Sequence, residues 1–298
     1  MKKLLAVLLT AAVTMAMLTA CGSSTEATDT TTETTEAEAD TTTDDAAVEE
    51  TAEAADAAEE TADAEAAVSE ALADGVLTAG TNAEFPPFEY VGDDGEADGF
   101  DIALIKAIGE KLGVDVQVDN MEFASLVSSI GNKIDVAIAG MTITDERKEA
   151  VDFSEPYYEA VQYVLLPEGS EIATAEDLKN KTIGVQLGTT GDFIASDIEG
   201  TTVNTYNKGV DAVNDLINGR VDCVIIDKNP ALVFESKFQD DGSKITAVDG
   251  AQFEFEPEYY AIAVPKGDTA LVDAINKAIE ELKADGTFDE LVKTYIEE

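Results

Sequence analysis

The feature that most constrains the fold is the regular alternation of strand-like and helix-like segments between about residue 71 and residue 298. Short apolar runs rich in β-branched residues are separated by stretches with helical periodicity. Strands are predicted at 76–80, 114–119, 135–140, 162–168, 182–188, 221–227 and 259–265. Helices are predicted at 101–113 and 123–131, from about Gly191, at 213–220, from about Pro230, and at 271–286 and 288–296. This alternation predicts an α/β fold with mostly parallel sheets.

Residues 22–70 differ in composition from everything after them. They contain 17 Asp plus Glu, 12 Thr and 14 Ala, but no Lys, Arg or aromatic residue. A segment with high charge and few large apolar groups cannot bury enough surface to offset its chain entropy. We therefore predict that 21–70 is a disordered linker without a binding site, and that 71–298 forms the folded domain.

The first twenty residues have the pattern of a secretory signal. Lys2 and Lys3 precede an apolar run at 4–18, which is shorter than the roughly 20 residues that span a membrane. The tetrad at 18–21, Leu-Thr-Ala-Cys, resembles the lipobox of bacterial lipoproteins. That resemblance implies that 1–20 is a lipoprotein signal peptide and that Cys21 carries a lipid after cleavage.

The charge and the missing residue types exclude several classes of function. The chain has 18 Lys plus Arg against 63 Asp plus Glu, a net charge of −45, which disfavours a nucleic-acid partner. It has no His, so His-activated nucleophiles and His-rich zinc sites are excluded. Its two cysteines, Cys21 and Cys223, cannot form a disulfide framework or a four-thiolate metal site. We expect neither a metal nor a cofactor, and a small molecule as the ligand.

Arginine is rare enough for its positions to be informative. Only Arg147 and Arg220 occur, and Arg147 follows the predicted strand 135–140, at the sheet edge where α/β proteins bind ligands. A guanidinium there suits a bidentate bond to a ligand carboxylate. The alternative is a surface ion pair with one of three acidic neighbours, Asp145, Glu146 or Asp152. Arg220 is interpreted as structural, beside Asp222.

Two further polar residues follow predicted strands. The Gly-Thr-Thr run at 188–190 precedes a helix, so its backbone N–H groups and the Thr190 hydroxyl could hold an anion, although the run is also an ordinary turn and cap. Asp227 ends the strand 221–227 and could accept from a ligand ammonium or cap the next segment. The residues alone do not decide between the binding role and the structural role of Thr190 and Asp227.

Aromatic residues make up 6% of the chain and cluster near strand ends. Phe85, Phe88 and Tyr90 follow the first strand, and Phe123 follows the strand 114–119. Aromatic side chains on such loops can sandwich a ligand side chain. We interpret Phe88 and Tyr90 as core residues.

Five segments together resemble the polar amino-acid-binding proteins of bacterial ABC importers, the extracellular solute-binding proteins of family 3. They are GTNAEFPPFEY (80–90), GFDIALIKAIGEKLG (99–113), AGMTITDERKEAVDFSEPYY (139–158), GVQLGTTGDF (184–193) and GRVDCVIID (219–227). The resemblance covers about 76–298. It implies the two-lobe, type II periplasmic-binding-protein fold, with lobes joined by crossing strands near 162–167 and 259–264. Lobe one would comprise about 76–163 and 260–298, and lobe two about 164–259.

The resemblance also implies a ligand site. Gly140, Thr142 and Arg147 match the α-carboxylate site of the family on the first lobe, and Thr190 completes it from the second. Asp227 matches the acceptor of the α-ammonium group. Three residues match positions that line the side-chain pocket: Asn82, Phe85 and Phe123.

The function implied is capture of an extracellular polar amino acid between closing lobes and its delivery to an ABC-type permease. The protein would be a monomer, lipid-anchored at the outer face of the cell membrane, and not an enzyme. One alternative is an enzyme on the same fold, similar to a cyclohexadienyl dehydratase, with Glu84 or Glu155 as acid. Another is a ligand-sensing module for a signalling partner.

The pocket residues give an order of ligand preference. A neutral polar amino acid such as glutamine or cystine is the first choice, because Asn82 offers a neutral donor and acceptor. Arginine is second, because Glu84 could pair with a guanidinium. Glutamate and aspartate are expected to bind worst, because Arg147 is already committed to the α-carboxylate.

Overall fold

The computed structural model describes residues 69–240 and 242–297. The predicted signal peptide, Cys21 and the predicted linker up to residue 68 lie outside this part of the chain. The strands are β1 (Val76–Thr81), β2 (Glu84–Phe85), β3 (Glu89–Val91), β4 (Ala97–Asp98), β5 (Asp115–Asn120), β6 (Val136–Ala137), β7 (Val151–Phe153), β8 (Tyr158–Ala160), β9 (Gln162–Pro167), β10 (Thr182–Gln186), β11 (Thr202–Tyr206), β12 (Cys223–Asp227), β13 (Ile245–Asp249), β14 (Glu258–Tyr260) and β15 (Ala263–Pro265). The helices are α1 (Phe100–Leu112), α2 (Leu126–Ser129), α3 (Asp145–Ala150), α4 (Thr190–Asp197), α5 (Gly209–Ile217), α6 (Lys228–Asp240), α7 (Thr269–Asp285) and α8 (Thr287–Tyr295).

The strands form two five-stranded sheets, and we call the parts built on them the first lobe and the second lobe. The first sheet has the order β5-β1-β6-β15-β7, and the second has the order β11-β10-β12-β9-β13. The predicted α/β organisation is confirmed. In each sheet four of the five strands run in the same direction, as expected for mostly parallel sheets, while β15 in the first sheet and β9 in the second run antiparallel to both of their neighbours.

These antiparallel strands follow the two places where the chain passes between the sheets. The chain leaves the first sheet after β7, passes through β8 into β9, and returns through β14 into β15, with β8 and β14 paired antiparallel. The first connection between the sheets therefore runs through β8, just before the crossing strand predicted at 162–167. The predicted strand 259–265 is divided because Ala261 and Ile262 bond to first-lobe loops, through the Met141 carbonyl and the Ser154 hydroxyl.

Amphipathic helices cover the sheets, as the periodicity predicts. Buried Leu104 and Ile108 of α1, and Ile275 and Ile279 of α7, share one apolar cluster, and each pair stands one helical turn apart. Helices α1, α7 and α8 pack together, with α1 against β5 of the first sheet, while α4, α5 and α6 contact the strands of the second. No helix among residues 69–240 and 242–297 is long and apolar enough to cross a membrane.

The loops at the carboxyl ends of the parallel strands depart most from the predictions. The expected strand 135–140 is paired only over β6, and Gly140 has a left-handed φ of +53°. A small antiparallel sheet, β2-β3-β4, occupies 84–98, where the sequence was interpreted as a loop. These two segments contact each other at Phe85 and Gly140, and both residues line a cavity.

Candidate functional site

One small cavity lies where strand ends of the two lobes face each other. Its lining includes all eight residues that the sequence singles out for ligand binding: Asn82, Phe85, Phe123, Gly140, Thr142, Arg147, Thr190 and Asp227. Four more lining residues were not predicted: Glu89, Ala139, Gln186 and Thr189. The structure therefore brings the predicted set together, and the binding role of each residue stays a prediction.

Gly140 lies against Phe85, where the loop after β6 approaches β2. A Cβ atom at this position would lie 2.9 Å from Cε1 of Phe85, and the φ of +53° is one that other L-residues rarely adopt. Its N–H donates to Oδ2 of Asp101 at 2.7 Å. Glycine is thus required here both by its φ and by the space that Phe85 occupies.

Arg147 is buried, with 7% of its surface exposed, and it spans the two lobes. Its Nη1 donates to the Thr142 carbonyl at 2.6 Å and its Nη2 to the Gly188 carbonyl at 3.0 Å. The guanidinium also lies 5.4 Å from the ring centroid of Phe123, which suits a cation–π contact. The alternative of a surface ion pair is wrong, because Arg147 is buried and forms no ion pair among the described residues. Asp145 and Asp152 pair with lysines instead.

The charge of Arg147 persists in spite of burial. Burial lowers the pKa of its guanidinium to about 10, and the charges of Glu258 and Asp227 act in the opposite direction. A pKa of about 10 leaves the side chain cationic at neutral pH. Of the described residues that line the cavity, Arg147 is the one cation.

Thr142 and Thr190 approach the same point from opposite lobes. Thr190 is the first residue of α4, whose N-cap is Thr189. The hydroxyls of Thr142 and Thr190 both donate to Oε2 of Glu258, each at 2.7 Å. Glu258 begins β14, and no local sequence pattern marks it, because its role depends on the strand passing between the lobes.

Asp227 ends β12 and is 93% buried. The Tyr260 hydroxyl donates to its Oδ1 at 2.5 Å. Burial raises the pKa of Asp227 to about 7, the negative charge of Glu258 adds to the shift, and the bond from Tyr260 opposes it. The carboxyl group of Asp227 is therefore only partly ionised at pH 7, and it becomes fully ionised when a cation approaches it.

Glu89 also lines the cavity and is not among the residues predicted to bind the ligand. It is fully buried at the start of β3, and neither carboxylate oxygen has a hydrogen-bond donor among the described residues. Burial raises its pKa well above the usual range, and the nearby Asp101 adds to this. The available signal was a glutamate between two aromatic residues, Phe88 and Tyr90.

Side chains at the cavity also connect the two lobes. Nε2 of Gln186 donates to Oδ1 of Asn82 at 2.8 Å. At the rim, Lys208 forms an ion pair with Glu84. Glu84 therefore already has a cationic partner, which removes the reason to pair it with a ligand or to use it as an acid.

The remaining candidates lie away from the cavity lining. Arg220 is exposed and pairs with Asp215 of α5, not with Asp222, whose carboxylate instead accepts from the Thr182 N–H. Phe88 is confirmed as a core residue at 1% exposure, whereas Tyr90 is only partly buried. Glu155 is exposed.

Comparison with known proteins gives consistent results. Residues 77–298 match the model of the bacterial extracellular solute-binding proteins, family 3. The L-cystine-binding protein TcyJ of Escherichia coli (strain K12) is 35% identical over 221 residues, which cover 73% of this chain and 81% of that protein. The arginine-binding extracellular protein ArtP of Bacillus subtilis (strain 168) is 35% identical over 225 residues, covering 74% and 85%.

A solved structure extends this likeness to the fold. The structure of an ancestral arginine-binding protein bound to arginine matches with a TM-score of 0.70 and 42% sequence identity. The match covers 74% of this chain and 98% of that chain. The two-lobe fold predicted from the sequence is thereby confirmed.

Proposed function

This chain belongs to the bacterial extracellular solute-binding proteins of family 3, and from that premise we propose that it binds a polar amino acid between its lobes and delivers it to an ABC-type permease. The relatives are solute-binding proteins, which confirms the prediction of a binding protein and not an enzyme. They lend no support to the dehydratase or signalling alternatives. The observation that carries the proposal is that Arg147 and Asp227 line one cavity from opposite lobes.

An amino-acid zwitterion needs a partner for each of its charges. A buried charge left without a partner costs several kcal/mol, so a site that excludes water must supply both. Arg147 would bind the α-carboxylate and Asp227 the α-ammonium group. Because the two residues belong to different lobes, the ligand would stabilise the closed arrangement over an open one.

The two threonine hydroxyls would complete the carboxylate site. Each hydroxyl has one proton to donate, and in the structure both protons are directed at Glu258. A ligand carboxylate at Arg147 would take these donors from Glu258. Ligand binding and the side-chain position of Glu258 would therefore be linked.

For the ligand side chain, the structure favours a cationic group over the neutral one preferred from the sequence. Glu89 lines the cavity with two carboxylate oxygens that lack donors among the described residues, and a guanidinium or ammonium group would supply them. Glu84, the residue on which the arginine option was based, is paired with Lys208. ArtP and the ancestral protein are named as arginine-binding proteins, which agrees with this preference, whereas TcyJ is named as a cystine-binding protein.

Calorimetric titration of the full chain with five amino acids tests the proposal. We expect arginine to bind most tightly, citrulline, glutamine and cystine more weakly, and glutamate least. Glu89→Gln should weaken arginine binding at least about tenfold, because a buried charge pair is broken, and should change citrulline binding little. Citrulline is the matched ligand because it replaces the guanidinium with a neutral group of similar shape.

Glu84→Gln is the matched control for Glu89→Gln. It removes a carboxylate of the same type at the rim, outside the cavity lining, so the preference for arginine should persist. Tighter binding of glutamine than arginine in the wild-type protein would restore the preference based on Asn82. Tighter binding of glutamate would contradict the proposed site.

We also propose that a lipid on Cys21 anchors the protein at the outer face of the membrane, and that it acts as a monomer because both sides of the cavity come from one chain. The proposal for the anchor rests on the lipobox-like tetrad and on the extracellular family. Cys21→Ala is expected to abolish lipidation and to shift the protein from the membrane fraction, as measured by detergent partitioning and intact mass. A wild-type protein without added lipid mass would contradict the anchor.

A further inference from the structure

Two acidic side chains lie together inside the first lobe: Glu89, which lines the cavity, and Asp101, which does not. Glu89 and Asp101 are both at 0% exposure and are close enough to share a hydrogen bond. Oδ2 of Asp101 accepts from the Gly140 N–H at 2.7 Å and from the Tyr157 hydroxyl at 2.8 Å. Oδ1 of Asp101 and both oxygens of Glu89 have no donor among the described residues.

Two carboxylates that touch in a buried site cannot both be ionised, because each disfavours the charge of the other and burial disfavours both. One proton between them removes this conflict and satisfies Oδ1 of Asp101. The two donors on Asp101 favour its ionised form, so the proton belongs on Glu89. In agreement, burial raises the pKa of Asp101 only to about 6 and that of Glu89 well above its usual range.

The other titratable groups around the pair do not replace this proton. Tyr157 donates to Asp101, and burial beside both carboxyl groups raises the pKa of its phenol further above 10. Asp227 adds negative charge near Glu89. Arg147 directs its guanidinium N–H groups at the carbonyls of Thr142 and Gly188.

We propose that Glu89 and Asp101 hold one proton between them in the free protein, and that a cationic ligand side chain expels this proton to solvent when it binds at Glu89. This inference rests on the proposed binding of an amino acid in the cavity. The carboxylic acid O–H bond of Glu89 breaks, its proton leaves to buffer, and the carboxylate pairs with the ligand cation. Asp101, which does not line the cavity, acts as a positioning residue that sets the charge of Glu89.

Proton release makes the affinity for a cationic ligand depend on pH in a predictable direction. Below the pKa of Glu89 in the free protein, each bound cation must displace a proton, so affinity increases as pH rises. A neutral ligand group can accept from the protonated Glu89 and displaces nothing there. Release of about one extra proton corresponds to an extra slope of about tenfold in affinity per pH unit.

The experiment is titration calorimetry of the full chain with arginine and citrulline, in two buffers with different enthalpies of ionisation at pH 7. The buffer dependence counts the protons released. Subtracting the proton release measured with citrulline from that measured with arginine cancels any release from Asp227, because both ligands present the same α-ammonium group to it. We expect arginine to release about one more proton than citrulline.

Asp101→Asn separates a charge-setting role from a structural one. The Asn carbonyl can keep the bonds from Gly140 and Tyr157, while its amide can donate to Glu89 and stabilise the ionised form. The extra proton should then disappear and arginine affinity should become as pH-dependent as that of citrulline. Asp135→Asn is the matched control, since Asp135 also accepts a backbone N–H, from Thr78, elsewhere in the first lobe; it should leave the extra proton in place.

The outcomes are distinguishable. Equal proton release by arginine and citrulline in the wild-type protein would overturn this inference while leaving amino-acid binding intact. This measurement uses only the wild-type protein, so it does not depend on whether a variant folds. An unchanged extra proton in a folded Asp101→Asn variant would overturn the role of Asp101. Absence of arginine binding would overturn the proposed ligand class, and this inference with it.

Discussion

Replacement of Arg147 by alanine is expected to weaken amino-acid binding by about thirtyfold to several thousandfold. Removing one partner of a buried, hydrogen-bonded charge pair costs roughly 2–5 kcal/mol, and each ~1.4 kcal/mol is one decade in affinity. Arg147 is 93% buried and its lining neighbours include no other cation among the described residues. The ligand carboxylate would therefore have no replacement partner. Titration calorimetry of the variant against the wild type measures the loss.

Two further variants define what Arg147 contributes. Arg147→Lys should restore only part of the affinity, because an ammonium group cannot reproduce the planar fork that reaches the Thr142 and Gly188 carbonyls together. Arg220→Ala is the matched control, since Arg220 is exposed and pairs only with Asp215 among the described residues. Unchanged affinity in Arg147→Ala would place the carboxylate site elsewhere.

Asp227→Asn is expected to cause a loss of similar size for every amino acid tested, because all of them carry the α-ammonium group. An Asn side chain can still accept from Tyr260, so the local packing is retained while the charge is removed. The cost again falls in the range of roughly 2–5 kcal/mol for a broken buried charge pair. Calorimetry with glutamine, which carries no side-chain charge, isolates this contribution.

The pH dependence of glutamine binding gives a second readout for Asp227. Burial raises its pKa to about 7, and only the ionised form pairs with an ammonium group. Below pH 7 binding must displace a proton, so affinity should fall by up to about tenfold per pH unit on acidification and level off above pH 7. The dependence should be absent in Asp227→Asn. A wild-type affinity that stays constant from pH 5 to pH 8 would contradict this role.

Much of the site was predictable because its residues follow strands. Arg147, Thr190 and Asp227 each come after or at the end of an apolar run that forms a strand, and in each of the two sheets the carboxyl ends of parallel strands share one edge. The five motifs then identified the family, and with it the two-lobe fold. The Asp227 and Arg147 predictions thus combined a local pattern with a resemblance that covers the whole domain.

The acidic residues of the cavity were not predictable in the same way. In a chain with 63 acidic residues, Glu89 and Glu258 look like ordinary surface carboxylates. Glu89 becomes buried because the short sheet β2-β3-β4 turns the first residue of β3 toward the cavity. Glu258 reaches two hydroxyls because β14 passes between the lobes.

The sequence by itself determined the longer strands and helices, such as β1, β5, β12, α1 and α7, and the residues that stand at their ends, because apolar periodicity is a local property of the chain. The tertiary structure alone decided the charge and the partners of those residues. Contacts between groups far apart in sequence place Glu89 against Asp101 and pair Glu84 with Lys208. Burial sets the pKa of Asp227 near 7. These effects depend on distance and on exclusion of water, which only the packing of the two lobes establishes.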